Sequence, residues 1–353
     1  PFWLAYAAGV LEDDGFDVRL IDACATLSSK EEVLAQIEEF APRLVVVDTS
    51  TPSIYNDVEI AGAVKRSLGD AAVFVVGTHP SALPSQVLGM SEWIDGVCLG
   101  EYDHTVRDIA RCIEGKGKME SVPGICVRKD GALVTTGIRE KIDDLDSLPF
   151  VSRVYKDHLN YKDYFFSAAE YPMVMIITGR GCPFKCFYCV YPQVFHGNRY
   201  RLRSPANVVD EFEYIVNAFP GIRSIGVEDD TFTAYPKRVV EICRMIIDRG
   251  LHRRITWWAN ARVNLEPDVM KLMKKAGCRL LIPGFESSRQ DILDNIRKGT
   301  KVSDAFVFMK NANRAGLLVH GCFMVGNPGE TKESMEETLR FAIRLNCDTA
   351  QFF

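Results

Sequence analysis

The chain has no apolar run of the roughly 18 to 20 residues that a bilayer-spanning helix needs, and no basic leader followed by an apolar segment. It opens on Pro-Phe and not on Met, so targeting stays open. It has no strong excess of either charge: 42 basic residues stand against 47 acidic ones, a formal net charge of −5. No broad attraction to nucleic acid or anionic lipid is therefore expected. A Gly-x-Gly-x-x-Gly fingerprint is also lacking, which disfavours a dinucleotide site. Eight of the eleven cysteines form no framework: those at 24, 98, 112, 126, 243, 278, 322 and 347 are scattered, several inside apolar runs. They read as buried thiols in a reducing compartment and not as disulfides. The expected setting is cytoplasmic, without a transmembrane segment and with membrane association left open.

What is present is concentrated in one stretch. Cys182, Cys186 and Cys189 fall inside Thr178-Gly-Arg-Gly-Cys-Pro-Phe-Lys-Cys-Phe-Tyr-Cys-Val190, directly after the apolar run Met173 to Ile177. Three thiolates can hold three irons of a cubane [4Fe-4S] cluster, because soft sulfur ligands suit iron, and no fourth cysteine lies near enough to close the last iron. The competing reading is a zinc-binding interaction module, which would need four Cys or His ligands. His196 is the available fourth, at a spacing that fits the usual zinc patterns poorly.

With 353 residues the chain is long enough for two domains. From the start to about residue 120, helical patterns (2–14, 30–40, 54–68, 103–114) alternate with apolar runs (17–23, 44–48, 72–77, 97–100). The runs are continuously apolar, as strands buried on both faces should be, and predict a doubly wound parallel sheet. Ligands on such sheets sit beyond the carboxyl ends of the strands. Those ends carry Thr49, Ser50, Thr51, then Gly77, Thr78, His79, then Glu101. The same residues could equally do no more than end strands and cap helices.

Residues 121–171 read as a hairpin around Lys129-Asp-Gly131 and a linker rich in Tyr and Phe. That aromatic stretch serves either domain packing or the wall of a substrate channel. From 172 to 353, five strand-helix units and the start of a sixth predict a partial (β/α)6 barrel. Its polar loops gather at the cysteine end, the end where barrel active sites lie. The fold class is thus α/β, a doubly wound sheet followed by an open barrel.

The Cys-x-x-x-Cys-x-x-Cys loop, with aromatic Tyr188 before its last cysteine, resembles the radical S-adenosylmethionine (SAM) superfamily. The resemblance implies a [4Fe-4S] cluster on Cys182, Cys186 and Cys189, and SAM bound through its open iron and cleaved to a 5'-deoxyadenosyl radical. A flavodoxin- or ferredoxin-type reductant is implied as well. It implies SAM contacts at Asp229 and Asp230 (amine), Arg262 (carboxylate), Glu286 and Ser287 (ribose and carboxylate), Gly326 (the adenine turn) and the Tyr188 backbone.

The first domain resembles the cobalamin-binding domain fused ahead of many such enzymes. The Asp-x-His-x-x-Gly loop of methionine synthase-type domains is missing, so cobalamin would bind without that histidine, and His79 sits on a different loop. The whole is most similar to the group holding hopanoid-biosynthesis radical enzymes and the anaerobic magnesium-protoporphyrin cyclase. That likeness implies rearrangement, cyclisation or coupling at an unactivated carbon of a hydrophobic small molecule, with cobalamin-dependent C-methylation as the alternative. No nucleic-acid partner is expected, and no residue is assigned acid–base chemistry.

Overall fold

The computed structural model describes residues 2–353. The chain divides into two compact units. One comprises residues up to Asp143 with Ser147–Leu159 and Val190–Gly197; the other comprises Asp144–Asp146, Asn160–Cys189 and Asn198–Phe353.

The first unit holds a five-stranded sheet in the order β1 (Leu44–Asp48), β2 (Ala72–Val76), β3 (Gly96–Cys98), β4 (Ile125–Lys129), β5 (Ala132–Thr135). The first three strands are parallel and the last two antiparallel. Side chains alternate across a strand, so Val73 and Val75 enter one core with Val58, Val87 and Leu88. Phe74 and Val76 enter the other with Tyr102, Val106 and Ile109. Burial of each such side chain contributes about 1.5–3 kcal/mol, and a sheet covered by helices on both faces requires the continuous valine runs seen in the sequence.

The hairpin expected in the connection completes this sheet. Its two-residue turn has positive φ at Asp130 (48°) and Gly131 (79°), the geometry that an Asp-Gly pair adopts most readily. The expected strand at 17–23 does not form. Its backbone finds no ladder: Leu20 N–H points to His158 Nδ1 at 3.4 Å, and Asp22 turns its carboxylate to cap Ala23–Thr26.

The second unit contains β6 (Met173–Ile176), the short antiparallel pair β7 (Gly179–Arg180) and β8 (Arg201–Leu202), then β9 (Ser224–Val227), β10 (Thr256–Ala261), β11 (Cys278–Glu286), β12 (Leu318–Phe323) and β13 (Thr349–Phe352). Apart from the β7–β8 pair, these strands form one six-stranded sheet in the order β13-β12-β11-β10-β9-β6, every neighbour parallel. The α/β architecture expected from the sequence is therefore present in both units.

Helices Pro205–Ala218, Pro236–Asp248 and Pro267–Lys275 each start on a proline, which fits the first helical turn because its missing N–H would have no partner there. The inner face of the sheet is set by strand alternation. A Cβ on Gly226 would strike the Trp258 ring, and Phe166 packs on both Trp258 and His320. Trp258 and Asn260 thus share one face of β10, with Arg262 just beyond its end and Glu228 beyond the end of β9. The aromatic stretch supplies the floor: Phe166 joins Met173, Trp258 and Leu280 in one apolar cluster, while Tyr161 meets Phe219 edge to face.

Candidate active site

The cluster loop leaves β6 and turns at Gly181, whose φ of +96° a residue with a side chain rarely adopts. Cys182, Cys186 and Cys189 are all free thiols and half-buried. Burial pushes the Cys182 thiol up to about 11, and the charges of Asp230, Cys189 and Cys186 push the same way, so each of these three groups lies within electrostatic reach of Cys182. Among the described residues, no three His, Cys, Asp or Glu side chains converge as one metal ion would require. A cubane asks for something different, one thiolate on each of three separate irons. Three soft donors on one loop fit that demand, and Asn198 Nδ2 braces the loop through the carbonyls of Cys182 (3.3 Å) and Phe184 (3.2 Å).

Asp229 is fully buried, and its carboxylate accepts four hydrogen bonds: from Thr178 N, Thr178 Oγ1, Gly179 N and Tyr200 Oη. Arg238 secures the same strand end, donating to the Thr178 carbonyl at 2.8 Å. With its oxygens committed, Asp229 holds the start of the cluster loop in place. Asp230 and Glu228 flank it at the same strand end. Burial pushes Glu228 up to about 7, against a lowering hydrogen bond from Asn260.

Arg262 is buried, with its guanidinium 3.7 Å from the centroid of the Phe184 ring and Nη2 donating to the Lys298 carbonyl at 2.8 Å. Its Nε is buried without a protein partner, an open donor suited to a carboxylate. Glu286 ends β11 at φ +63° and takes the Tyr188 hydroxyl (2.9 Å) and Lys298 Nζ (2.6 Å) on one oxygen. Ser287 turns away: it is fully buried, 3.4 Å from Thr338 Oγ1, and accepts from Arg289 N at 3.3 Å. Gly326 turns at φ +83° with open space around its Cβ position.

The first unit has its own site. A cavity of about 260 Å³ at the carboxyl ends of β1 and β2 is lined by Asp48, Thr49, Ser50, Ser53, Gly77 and Thr78, with Trp3, Tyr191 and Phe195 as an aromatic wall. Gly77 lets the two loops close on each other, since a Cβ there would overlap the Thr49 carbonyl and its φ is +115°. Thr51, His79 and Glu101 are engaged elsewhere. Thr51 Oγ1 lies 3.0 Å from His79 Nδ1, and Glu101 holds buried His196 Nδ1 at 3.1 Å. The His79 Nε2 is buried with no protein partner among the described residues.

A radical SAM superfamily model matches residues 176–342 and a B12-binding domain model matches residues 1–110. The chain is 31% identical over its full length to an uncharacterized methyltransferase of Pyrococcus horikoshii, covering 75% of that protein. It is a radical SAM enzyme with an N-terminal cobalamin-binding domain. It is also 30% identical, over 97% of its length, to the anaerobic magnesium-protoporphyrin IX monomethyl ester cyclase of Cereibacter sphaeroides, of which it spans 56%. Among solved structures it superposes on the radical SAM methyltransferase TsrM of Kitasatospora setae with a TM-score of 0.80. That match has 20% identity and covers all of this chain and 70% of the other.

In this radical SAM enzyme the cavity of the first unit is lined mainly by hydroxyl groups. Asp48 is its one acid, and burial raises that carboxyl from 3.8 to about 6. Between those values the folded state binds more protons than the unfolded one, so stability falls as pH rises from 3.8 to about 6 and stays lower above. Asp48→Asn removes this loss. It is expected to stabilise the protein by roughly 1–3 kcal/mol at pH 8 and to leave it unchanged near pH 4, as urea midpoints at the two pH values will show.

Lys298, Thr178, Tyr200 and Arg238 were not legible as site residues. Thr178 and Tyr200 lie in stretches that flank the cysteines and Lys298 and Arg238 do not, but all four acquire their roles by reaching another strand or loop. Among the described residues no helix is long and apolar enough to cross a membrane.

Proposed function

We propose that the protein is a cobalamin-dependent radical SAM C-methyltransferase acting on a small molecule. The observation that carries this reading is the presence, in one chain, of a three-thiol loop facing the unpartnered Arg262 Nε and a cobalamin-type domain with a hydroxyl-lined cavity. Methyltransferases recur among its relatives: the Pyrococcus protein, a cytidylyl-2-hydroxyethylphosphonate methyltransferase and a tryptophan 2-C-methyltransferase all carry that name. When bound, the cluster supplies the electron for SAM cleavage and the corrinoid carries the methyl group.

The protein's own residues bind and position. Cys182, Cys186 and Cys189 ligate the cluster, Arg262 pairs with the SAM carboxylate, and Asp230 with Glu228 receives the amine. Thr49, Ser50, Gly77 and Thr78 would cradle the corrinoid. A flavodoxin- or ferredoxin-type protein supplies electrons. Phe166 and its neighbours fill the floor of the sheet with one another, so the aromatic stretch gives no support to a channel for a hydrophobic substrate.

The cyclase relatives favour a second reading, ring closure. The two differ in what becomes of SAM. The reconstituted enzyme is incubated anaerobically with reductant and candidate acceptors, and both SAM products are measured. Methyl transfer yields S-adenosylhomocysteine and 5'-deoxyadenosine in equal amounts; 5'-deoxyadenosine alone, with a modified acceptor, would overturn it in favour of ring closure.

A further inference from the structure

Besides Asn198 and Asp229, one short segment holds the later part of the loop that carries the three thiols, and Lys298 is at its centre. After helix Gln290–Asn295, the Ile296 carbonyl accepts from Phe187 N at 3.2 Å. Arg297 then turns in the left-handed region (φ 54°), and the Lys298 side chain runs inward. Its ammonium lies 2.6 Å from Glu286 Oε1 and 3.4 Å from the Tyr188 hydroxyl, which donates to the same Oε1 at 2.9 Å. Both charged side chains are more than nine-tenths buried. Gly284 makes the space, since a Cβ there would overlap both Glu286 Oε1 and Lys298 Nζ.

A buried ion pair is a poor general stabiliser, because desolvating two charges offsets most of their attraction. Its position suggests what it is for. Tyr188 stands between Cys186 and Cys189 in the loop, so anchoring the phenol anchors the backbone that sets the spacing of two thiols. The Lys298 carbonyl also accepts from Arg262 Nη2 at 2.8 Å, so the same residue steadies the guanidinium that faces the loop.

We propose that Lys298, acting through Glu286 and Tyr188, is a positioning residue for the [4Fe-4S] cluster. It fixes the loop between two of the ligands. The proposal rests on the cluster reading given above. Outer hydrogen-bond partners of metal ligands characteristically matter ten- to a hundredfold in metal affinity. Without Lys298 the buried Glu286 carboxylate would stand charged and unpaired on Tyr188, which disfavours the reduced cluster because that state carries more negative charge.

The test uses the full chain reconstituted anaerobically with iron and sulfide. Parent, Lys298→Met, Lys298→Arg and Tyr188→Phe are compared by the rate of iron loss to a ferrous chelator and by EPR-monitored midpoint potential. Lys298→Met is expected to lose iron roughly 10–100-fold faster and to show a more negative midpoint, while Lys298→Arg stays close to the parent. Tyr188→Phe, which keeps the ring and removes only the hydroxyl, should lose iron faster while the apo-protein stays folded with a Tm lowered by no more than one hydrogen bond accounts for, and it decides the matter if Lys298→Met does not fold. Variants that retain iron and potential like a normally loading parent overturn the proposal alone. A parent that takes up no iron overturns the cluster reading and the proposal with it.

Discussion

Exchange of Cys186 for serine is expected to abolish SAM cleavage while leaving the fold intact. A serine oxygen is a hard and weakly acidic ligand, ill-suited to iron where a thiolate is suited. Four of the eight scattered cysteines cannot take its place: Cys98, Cys126, Cys243 and Cys278 are essentially inaccessible within strand or helix cores. Burial pushes the Cys98 and Cys278 thiols far up and that of Cys243 up to about 12, away from the thiolate form that binds metal. After anaerobic reconstitution the parent should hold about four irons per chain. The Cys186→Ser protein should hold a small and labile fraction, and form no 5'-deoxyadenosine above background. Its apo-form Tm should match the parent's, because the half-buried loop thiol contributes little packing. Full iron content together with undiminished SAM cleavage in the variant would remove Cys186 from the ligand set.

Asp229→Ala is expected to do the opposite, damaging the fold before the chemistry. The carboxylate satisfies two backbone N–H groups and two hydroxyls in a site with no solvent access. Each buried donor left without an acceptor costs about 1–3 kcal/mol. Some relaxation is certain, so a loss of roughly 4–6 kcal/mol is expected. That is a large share of the ~5–15 kcal/mol that stabilises a typical domain, and it corresponds to a fall in Tm on the order of 10 °C or more. Tyr200→Phe removes one donor and leaves the carboxylate three, so its cost should be nearer 1–2 kcal/mol. Burial and the adjacent Asp229 charge push the Tyr200 phenol well up, so it stays a donor at all working pH values. Urea denaturation of the apo-proteins gives both numbers. An Asp229→Ala protein that unfolds at the parent's midpoint would show that the network carries no stability and would return Asp229 to the list of SAM contacts.

These two residues also mark the boundary between what could be read from the sequence and what could not. The cysteine loop was legible because its ligands lie within eight residues, where local spacing alone dictates which atoms can meet. The continuous Val runs of β1 and β2 were legible for a similar reason: a strand buried on both faces has no polar alternation to show. The strand expected at 17–23 failed because strand formation needs a neighbour, and local pattern cannot say whether one is available. Asp229 looked like Asp230 in the sequence, one member of an acidic pair ahead of Thr-Phe.

The sequence by itself determined the α/β class, the thiol loop, the two-residue Asp-Gly turn and the polar ends of the parallel strands. All of these follow from periodicity, spacing or the backbone preference of single residues. Only the tertiary structure decided which of two neighbouring aspartates is spent on Thr178, Gly179 and Tyr200, that Glu286 is neutralised by Lys298, and that Ser287 turns toward Thr338. Each of those outcomes joins residues 12 to 51 positions apart. Consecutive side chains on a strand point to opposite faces, and which face meets a partner is settled by the packing of other strands and helices, which no local pattern records.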